Sequence, residues 1–403
     1  LRPTGRLEDL TRLNTGLHEE WKLEWRGYSK FQRALALLDA TEIPVEESTA
    51  DVEQRGPVPE PGVVASIATE LPAQAVTLLE NPGLEADDPM SEAGRKILRL
   101  HYRRMIYNEP GTRLGQDIEA LHDMRVATRR MRAAFRVFGG YFQAKAIASY
   151  RKGLKRTGRA LGAVRDLDVF REKIEAYLHT LPESDQDSLD GLLAELEAQR
   201  EAARQRLLAY LDGRKYARFK ERFGEFVETE GRGSLPVLLE GQEPRPYRVR
   251  HVAPIAIYER LAEVRAHDEW VSVPQPPLER LHASRIACKH LRYTLEFFRE
   301  VLGPRAKLPI QEVVTVQDHL GSLQDAVVAS SILQEYLERG TWGQASRYSR
   351  PAPRAARRDP GVAAYLEARQ QEMQQLVDTF PLVWDCLKRP GFSETVARAV
   401  MAL

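Results

Sequence analysis

Two stretches of the chain set imidazole and cationic groups at the same intervals. Residues 121–138 read LHDMRVATRRMRAAFRVF, and residues 281–298 read LHASRIACKHLRYTLEFF. His122/His282, Arg125/Arg285, Arg129/Lys289, Arg132/Arg292 and Phe138/Phe298 coincide at an offset of 160. The chemistry such groups offer is recognition of oxyanions. Arginine presents a planar fork of donors that matches two oxygens at once, while lysine supplies a mobile point charge. A second echo follows each copy, LGAVRD at 161–166 and LGSLQD at 320–325, at an offset of 159. Two marks repeated in one order and at one spacing point to an internal duplication.

The element that must position these groups is a helix. At about 100° per residue, His122, Arg125, Arg129, Arg132 and Arg136 fall within an arc of about 80°. The residues between them are rich in helix formers and free of Gly and Pro. Like charges stacked along one face repel one another, so a chain bears this cost mainly when a polyanion or an acidic neighbour compensates it. Asp123 is the only acid between 122 and 136. The second copy repeats the angles with His282, Arg285, Lys289 and Arg292, but Glu296 stands where the first copy has Arg136. The second stripe is therefore the weaker. A further cluster, Lys152, Lys155 and Arg159 with Arg151 and Arg156 flanking, precedes LGAVRD, whereas the equivalent second-half positions are Gln311, Val314 and Asp318. Ligand contacts are expected to be richer in the first half. Asp166 and Asp325 sit among the cations of each copy, where pairing with a motif arginine is the expected role.

The doubled His-x-x-Arg-[Val/Ile]-x-x-[Arg/Lys]-x-x-Arg motif resembles the CHAD domain, the conserved histidine α-helical domain. Arg-Tyr-x-x-Glu-x-Phe at 292–298 and the Leu-Gly-x-x-[Arg/Gln]-Asp echoes are similar to the same family. The resemblance spans roughly residues 91–403. It implies an all-α fold of two helical-bundle halves related by an internal pseudo-twofold, with a basic central cavity that binds inorganic polyphosphate without catalysis. The residues it places at that ligand are His122, Arg125, Arg129, Arg130, Arg132 and Arg136 of the first motif; Lys152, Lys155, Arg156 and Arg159 ahead of LGAVRD; and His282, Arg285, Lys289, His290, Arg292 and Tyr293 of the second motif. A helix spaces cations three or four residues apart by about 5–6 Å, the order of two phosphate units, so a stripe can engage successive units. Motif histidines donate from both ring nitrogens when protonated, so binding is expected to tighten as pH falls through the histidine range.

Charge is divided along the chain. Net charge is +1, yet residues 41–89 carry eleven carboxylates against Arg55 alone, which leaves residues 90–403 at +10 and residues 1–40 at +1. The 41–89 segment is also proline-rich and reads as a soluble acidic linker, with occlusion of the basic face as the alternative. Residues 1–40 include Ser29-Lys30-Phe31-x-Arg33-Ala34-Leu35, similar to the closing element of CYTH triphosphate-tunnel domains, without that family's Glu-x-Glu-x-Lys signature. The chain begins at Leu1, so further sequence is expected upstream.

The remainder forms the CHAD-like domain, 90–403, with halves at 90–235 and 248–403. Apolar spacing predicts helices near 91–108, 116–138, 144–162, 165–180, 186–211 and 214–229, then near 252–268, 276–302, 309–321, 323–339, 361–387 and 392–402. Residues 341–360 read as a loop carrying Arg347, Arg350, Arg354, Arg357 and Arg358 among prolines.

Other classes find less support. Cys288 and Cys386 make neither a disulfide framework nor a metal-ligand spacing. No signal peptide or membrane-length apolar run is seen, which leads to a cytoplasmic protein, with polyphosphate granules as a possible destination. The stripes lack interleaved aromatics, apart from Tyr293, and no nucleic-acid signature accompanies them, so nucleic-acid binding or a scaffold role is the alternative. No P-loop, carboxylate cluster or nucleophile with its base appears, so neither enzyme activity nor a cofactor or metal is expected.

Overall fold

Apolar residues three and four apart, interrupted by few glycines and prolines, make helices of almost every described segment. The computed structural model describes residues 78–237, 245–343 and 359–403, all within one unit, Leu71–Leu403. The CYTH-like stretch, the linker up to residue 77 and Arg347 through Arg358 lie outside the described residues. The first half holds α1 (Met90–Leu114), α2 (Ile118–Val137), α3 (Ala144–Leu178), α4 (Asp190–Asp212) and α5 (Arg214–Glu228). The second holds α6 (Val249–Arg265), α7 (Leu278–Phe297), α8 (Lys307–Arg339), α9 (Pro360–Lys388) and α10 (Pro390–Val400). Among the described residues there is no strand, only isolated bridges such as Phe142 with Ser234. The fold is all-α, as expected, and no helix among the described residues is long and apolar enough to cross a membrane.

Three expected helix ends are absent. Breaks were expected between 162 and 165 and between 321 and 323, yet α3 and α8 run straight through. Gly162 and Gly321 sit inside them, between the buried pairs Leu161/Val164 and Leu320/Leu323. Burial on both sides outweighs the roughly 1 kcal/mol that an internal glycine costs. Likewise α1 was expected to stop at 108 but continues through Pro110. Around the bond that proline cannot make, Glu109 accepts from Arg113 at 3.0 Å, the Tyr216 hydroxyl at 2.9 Å and Lys220 at 3.0 Å. The helix ends instead at Gly115, whose φ of +73° favours glycine. There Arg204 donates to the Arg113 and Leu114 carbonyls, both at 2.9 Å.

The inner faces of α2 and α7 supply the main core. Met124, Ala127, Met131, Ala134 and Phe135 of α2 pack in one cluster with Leu281, Cys288, Leu291 and Leu295 of α7. Phe138 and Phe298, equivalent in the two sequence copies, meet edge to face with ring centroids 5.6 Å apart. A second cluster joins Phe170 and Ile174 of α3 and Leu192 of α4 to Leu333 of α8 and Tyr365 of α9. Both clusters draw on both halves, so the duplicated segments form a single body. Burying one side of α2 and α7 in this way leaves the cationic side of each outside the core.

Candidate anion-binding site

Arg125 and Arg132 of α2 lie along α3 beside Gly162 and Gly158. A Cβ on Gly158 would stand 3.4 Å from Arg132 Nη1, and one on Gly162 would stand 3.6 Å from Arg125 Nε. These are ordinary contact distances, and Arg125 passes Gly162 of the LGAVRD echo to reach Asp166 one turn further on at 2.9 Å. The Asp166 side chain is 68% accessible, and desolvation by the surrounding protein raises its pKa. Arg125 opposes that rise, and Asp325 of the other half adds to it.

The second-half aspartate departs from expectation. Asp325 pairs with Lys173 of α3 at 3.7 Å rather than with an arginine of its own motif, because α3 crosses the seam beside it. His282 Nδ1 lies 2.7 Å from the Gln324 side-chain oxygen, so this histidine is tied to α8 next to the LGSLQD echo.

The cationic groups converge from both halves. Burial lowers the pKa of Arg132, and Arg136, Arg159 and Arg125 lower it further. Lys289 is pushed down to about 8, first by burial and then by Arg285, Arg136, Arg129 and Arg132. Like charges disfavour one another's ionised forms, so each shift records guanidiniums crowding the group concerned. Arg129 thus acts electrostatically on Lys289, its equivalent in the second copy. His290 is lowered by burial, Arg136, Lys289 and Arg260, against Glu263. Among the described residues the Nε of Arg285 is buried without a hydrogen-bond partner.

Not every expected residue joins this group. Arg292 donates a hydrogen bond to Glu296 at 2.7 Å, Arg130 makes an ion pair with its other oxygen at 2.9 Å, and Arg130 also lies 6.0 Å from the Tyr293 ring centroid. Tyr293 itself is buried and stacked on Phe297. Arg156 is exposed on α3 and acts electrostatically on Tyr210 of α4. Lys152 and Lys155 are exposed on α3, and His122 is half-buried on α2. Arg260 of α6 borders His290 but belongs to neither motif, and nothing in the sequence signalled it.

A cavity of about 230 Å³ opens beside the cluster between α2, α6 and α7. Arg136, Arg260 and His290 line it together with Ala133, Val137, Val252, Ile255 and Glu259. Its apolar walls and its carboxylate suit a bare polyanion poorly, so the facing stripes, not this cavity, form the candidate site. Among the described residues no cluster of His, Cys, Asp and Glu is arranged to hold a metal ion.

The arrangement has relatives. The chain is similar in structure to the CHAD domain from the plant Ricinus communis, with 24% sequence identity and a TM-score of 0.56 over 75% of this chain and 93% of that one. It is similar also to PptA from Streptomyces chartreusis, with 14% identity and a TM-score of 0.52 over 74% of this chain and 100% of that one. At these identities the likeness concerns the fold. No curated protein matches the chain by sequence. The family model of the CHAD domain matches residues 96–334, which contain both motifs and both echoes, and the chain therefore belongs to the CHAD domain family.

Proposed function

We propose that this protein binds inorganic polyphosphate along the facing cationic faces of α2 and α7, without catalysis. The observation that carries the reading is the surroundings of Lys289. The four groups acting most strongly on it are all guanidiniums, three from the first motif and one from the second. Such crowding is unfavourable in the empty protein and is relieved by an anion that bridges the two stripes. Arg125, Arg129, Arg132, Arg136, Arg159, Arg285 and Lys289 make the principal contacts, with His122, His282 and His290 at the margin.

The same proposal includes a pseudo-twofold relation between the halves. Residues equivalent in sequence meet on an axis of that kind. Phe138 packs on Phe298, Arg129 acts on Lys289, and Asp166 acts on Asp325. A cytoplasmic location, with recruitment to polyphosphate granules, belongs to this reading.

Direct competition tests it. Long-chain polyphosphate, RNA and single-stranded DNA are titrated at equal phosphate concentration and physiological salt. Polyphosphate is expected to bind at least tenfold more tightly, as a rough minimum for stripes without base-stacking aromatics. Equal affinity for nucleic acid would replace this function with the alternative one.

A further inference from the structure

The cavity between α2, α6 and α7 lies outside the polyanion site, and its lining is of two kinds. Val137, Val252, Ile255 and the rings of Tyr141 and Tyr293 form apolar walls. Ile255 is 50% exposed, so part of that apolar surface meets water. Among these walls stand Arg136 from α2, Glu259 and Arg260 from α6, and His290 from α7. A concave apolar site with a few polar groups set into it is the usual form of a small-molecule site.

The polar groups differ in what they have left to offer. Arg260 is held by Glu263, one turn along α6. Thr294 spends its hydroxyl proton on the His290 carbonyl at 2.9 Å. Among the described residues, the Arg136 guanidinium, the His290 ring and the Tyr141 hydroxyl have no hydrogen-bond or ion-pair partner. Three donors of the lining, one of them fully charged, are therefore available to an acceptor. Glu259 sets a limit on that acceptor, because its repulsion doubles when the guest carries two charges instead of one. Size sets the other limit. An engineered cavity of about 150 Å³ holds one benzene, so in proportion 230 Å³ holds roughly nine or ten non-hydrogen atoms, one ring with a carboxylate.

We propose that this cavity binds small organic monocarboxylates with one ring-sized apolar body. The ring covers Ile255 and lies among Val137, Val252 and the two tyrosines. The carboxylate takes the Arg136 guanidinium, with the Tyr141 hydroxyl and the His290 ring as further donors. Arg136 also belongs to the cationic face of α2, so an occupied cavity withdraws one cation from polyphosphate. That second consequence rests on the proposed function, whereas the site itself does not.

Titration calorimetry of the full chain with phenylacetate at physiological pH and salt tests the site. A dissociation constant on the order of 0.1–1 mM is expected for a ligand of this size. Benzyl alcohol, which lacks the charge, and phenyl phosphate, which carries nearly two, should each bind about fivefold more weakly. Arg136→Gln and Ile255→Asp alter exposed side chains, and each should weaken phenylacetate about tenfold. Arg129→Gln, on the same helix but outside the lining, should leave it unchanged. Absence of saturable binding, or an equal loss with Arg129→Gln and Arg136→Gln, overturns the proposal. Saturating phenylacetate should lower polyphosphate affinity about twofold, the effect of one cation neutralised among many. An unchanged polyphosphate affinity removes the shared use of Arg136. A chain that binds phenylacetate but no polyphosphate would leave the cavity site standing and count against the polyphosphate reading.

Discussion

Glu296 takes the Arg130 guanidinium at 2.9 Å from across the seam between the halves, while Arg292 holds its other carboxylate oxygen at 2.7 Å. The residue that weakens the second stripe is thus the tie that joins α7 to α2. Position 296 exchanges a ligand contact for a bond between halves.

Glu296→Gln should separate these two roles. Both guanidiniums lose their counter-charge in a setting that is mostly shielded from water, at a cost of about 2 kcal/mol. Urea denaturation should register that loss. Titration with polyphosphate should show affinity rising by about threefold, because two cations are released to the site.

The stripes are unequal, and their salt dependence should reveal it. The triple variant Arg125→Ala, Arg129→Ala, Arg132→Ala removes three contacts and should flatten the slope of log affinity against log salt by about 2 units, at about 0.7 per phosphate. The counterpart Arg285→Ala, Lys289→Ala, Arg292→Ala should flatten it by only about 1, since Arg292 is already held by Glu296. Equal losses would contradict the asymmetry.

Lys289 gives binding a pH dependence above the histidine range. Its pKa in the free protein is pushed down to about 8, and a bound polyanion raises it towards the ordinary value. The complex then holds a proton that the free protein has lost, so affinity should fall about tenfold between pH 7 and pH 9. Lys289→Arg should remove that fall. Stability without ligand runs the opposite way. Between about 8 and 10.5 the unfolded chain binds more protons than the folded one, so folding stability gains from this residue as pH rises through that window. Below pH 8 both states are protonated, and the repulsion persists in the folded state.

Cys288 should be inert in the folded protein. Burial pushes its thiol up to about 12, with Cys386 adding to the effect. Iodoacetamide at pH 8 should leave Cys288 unmodified in native protein and alkylate it in urea.

Glu109 is an anchor remote from the site. Its buried carboxylate accepts from Arg113, Tyr216 and Lys220, so Glu109→Ala should cost about 3 kcal/mol by stranding those donors. Polyphosphate affinity should stay unchanged once the variant is folded, which calorimetry at low temperature would test.

Much of this molecule was legible in one dimension. Helical periodicity and the repeat of His-x-x-Arg at an offset of 160 identify the fold class, the duplication and the cationic faces, because a helix converts spacing directly into direction. Helix ends were less legible. Breaks expected near Gly162, Gly321 and Pro110 disappear because burial and the bonds around Glu109 decide there, and those partners are distant in sequence.

By itself, then, the sequence determined which side chains are cationic and which face of each helix carries them. Only the tertiary structure decided which of them are available. Arg129 acts electrostatically on Lys289, whereas Arg130 and Arg292 are taken up by Glu296. Charge and helical phase are local properties, but pairing and pKa depend on what packing brings within a few ångströms. That is why burial and neighbouring guanidiniums push Lys289, one of many basic residues in the sequence, down to about 8 in the fold.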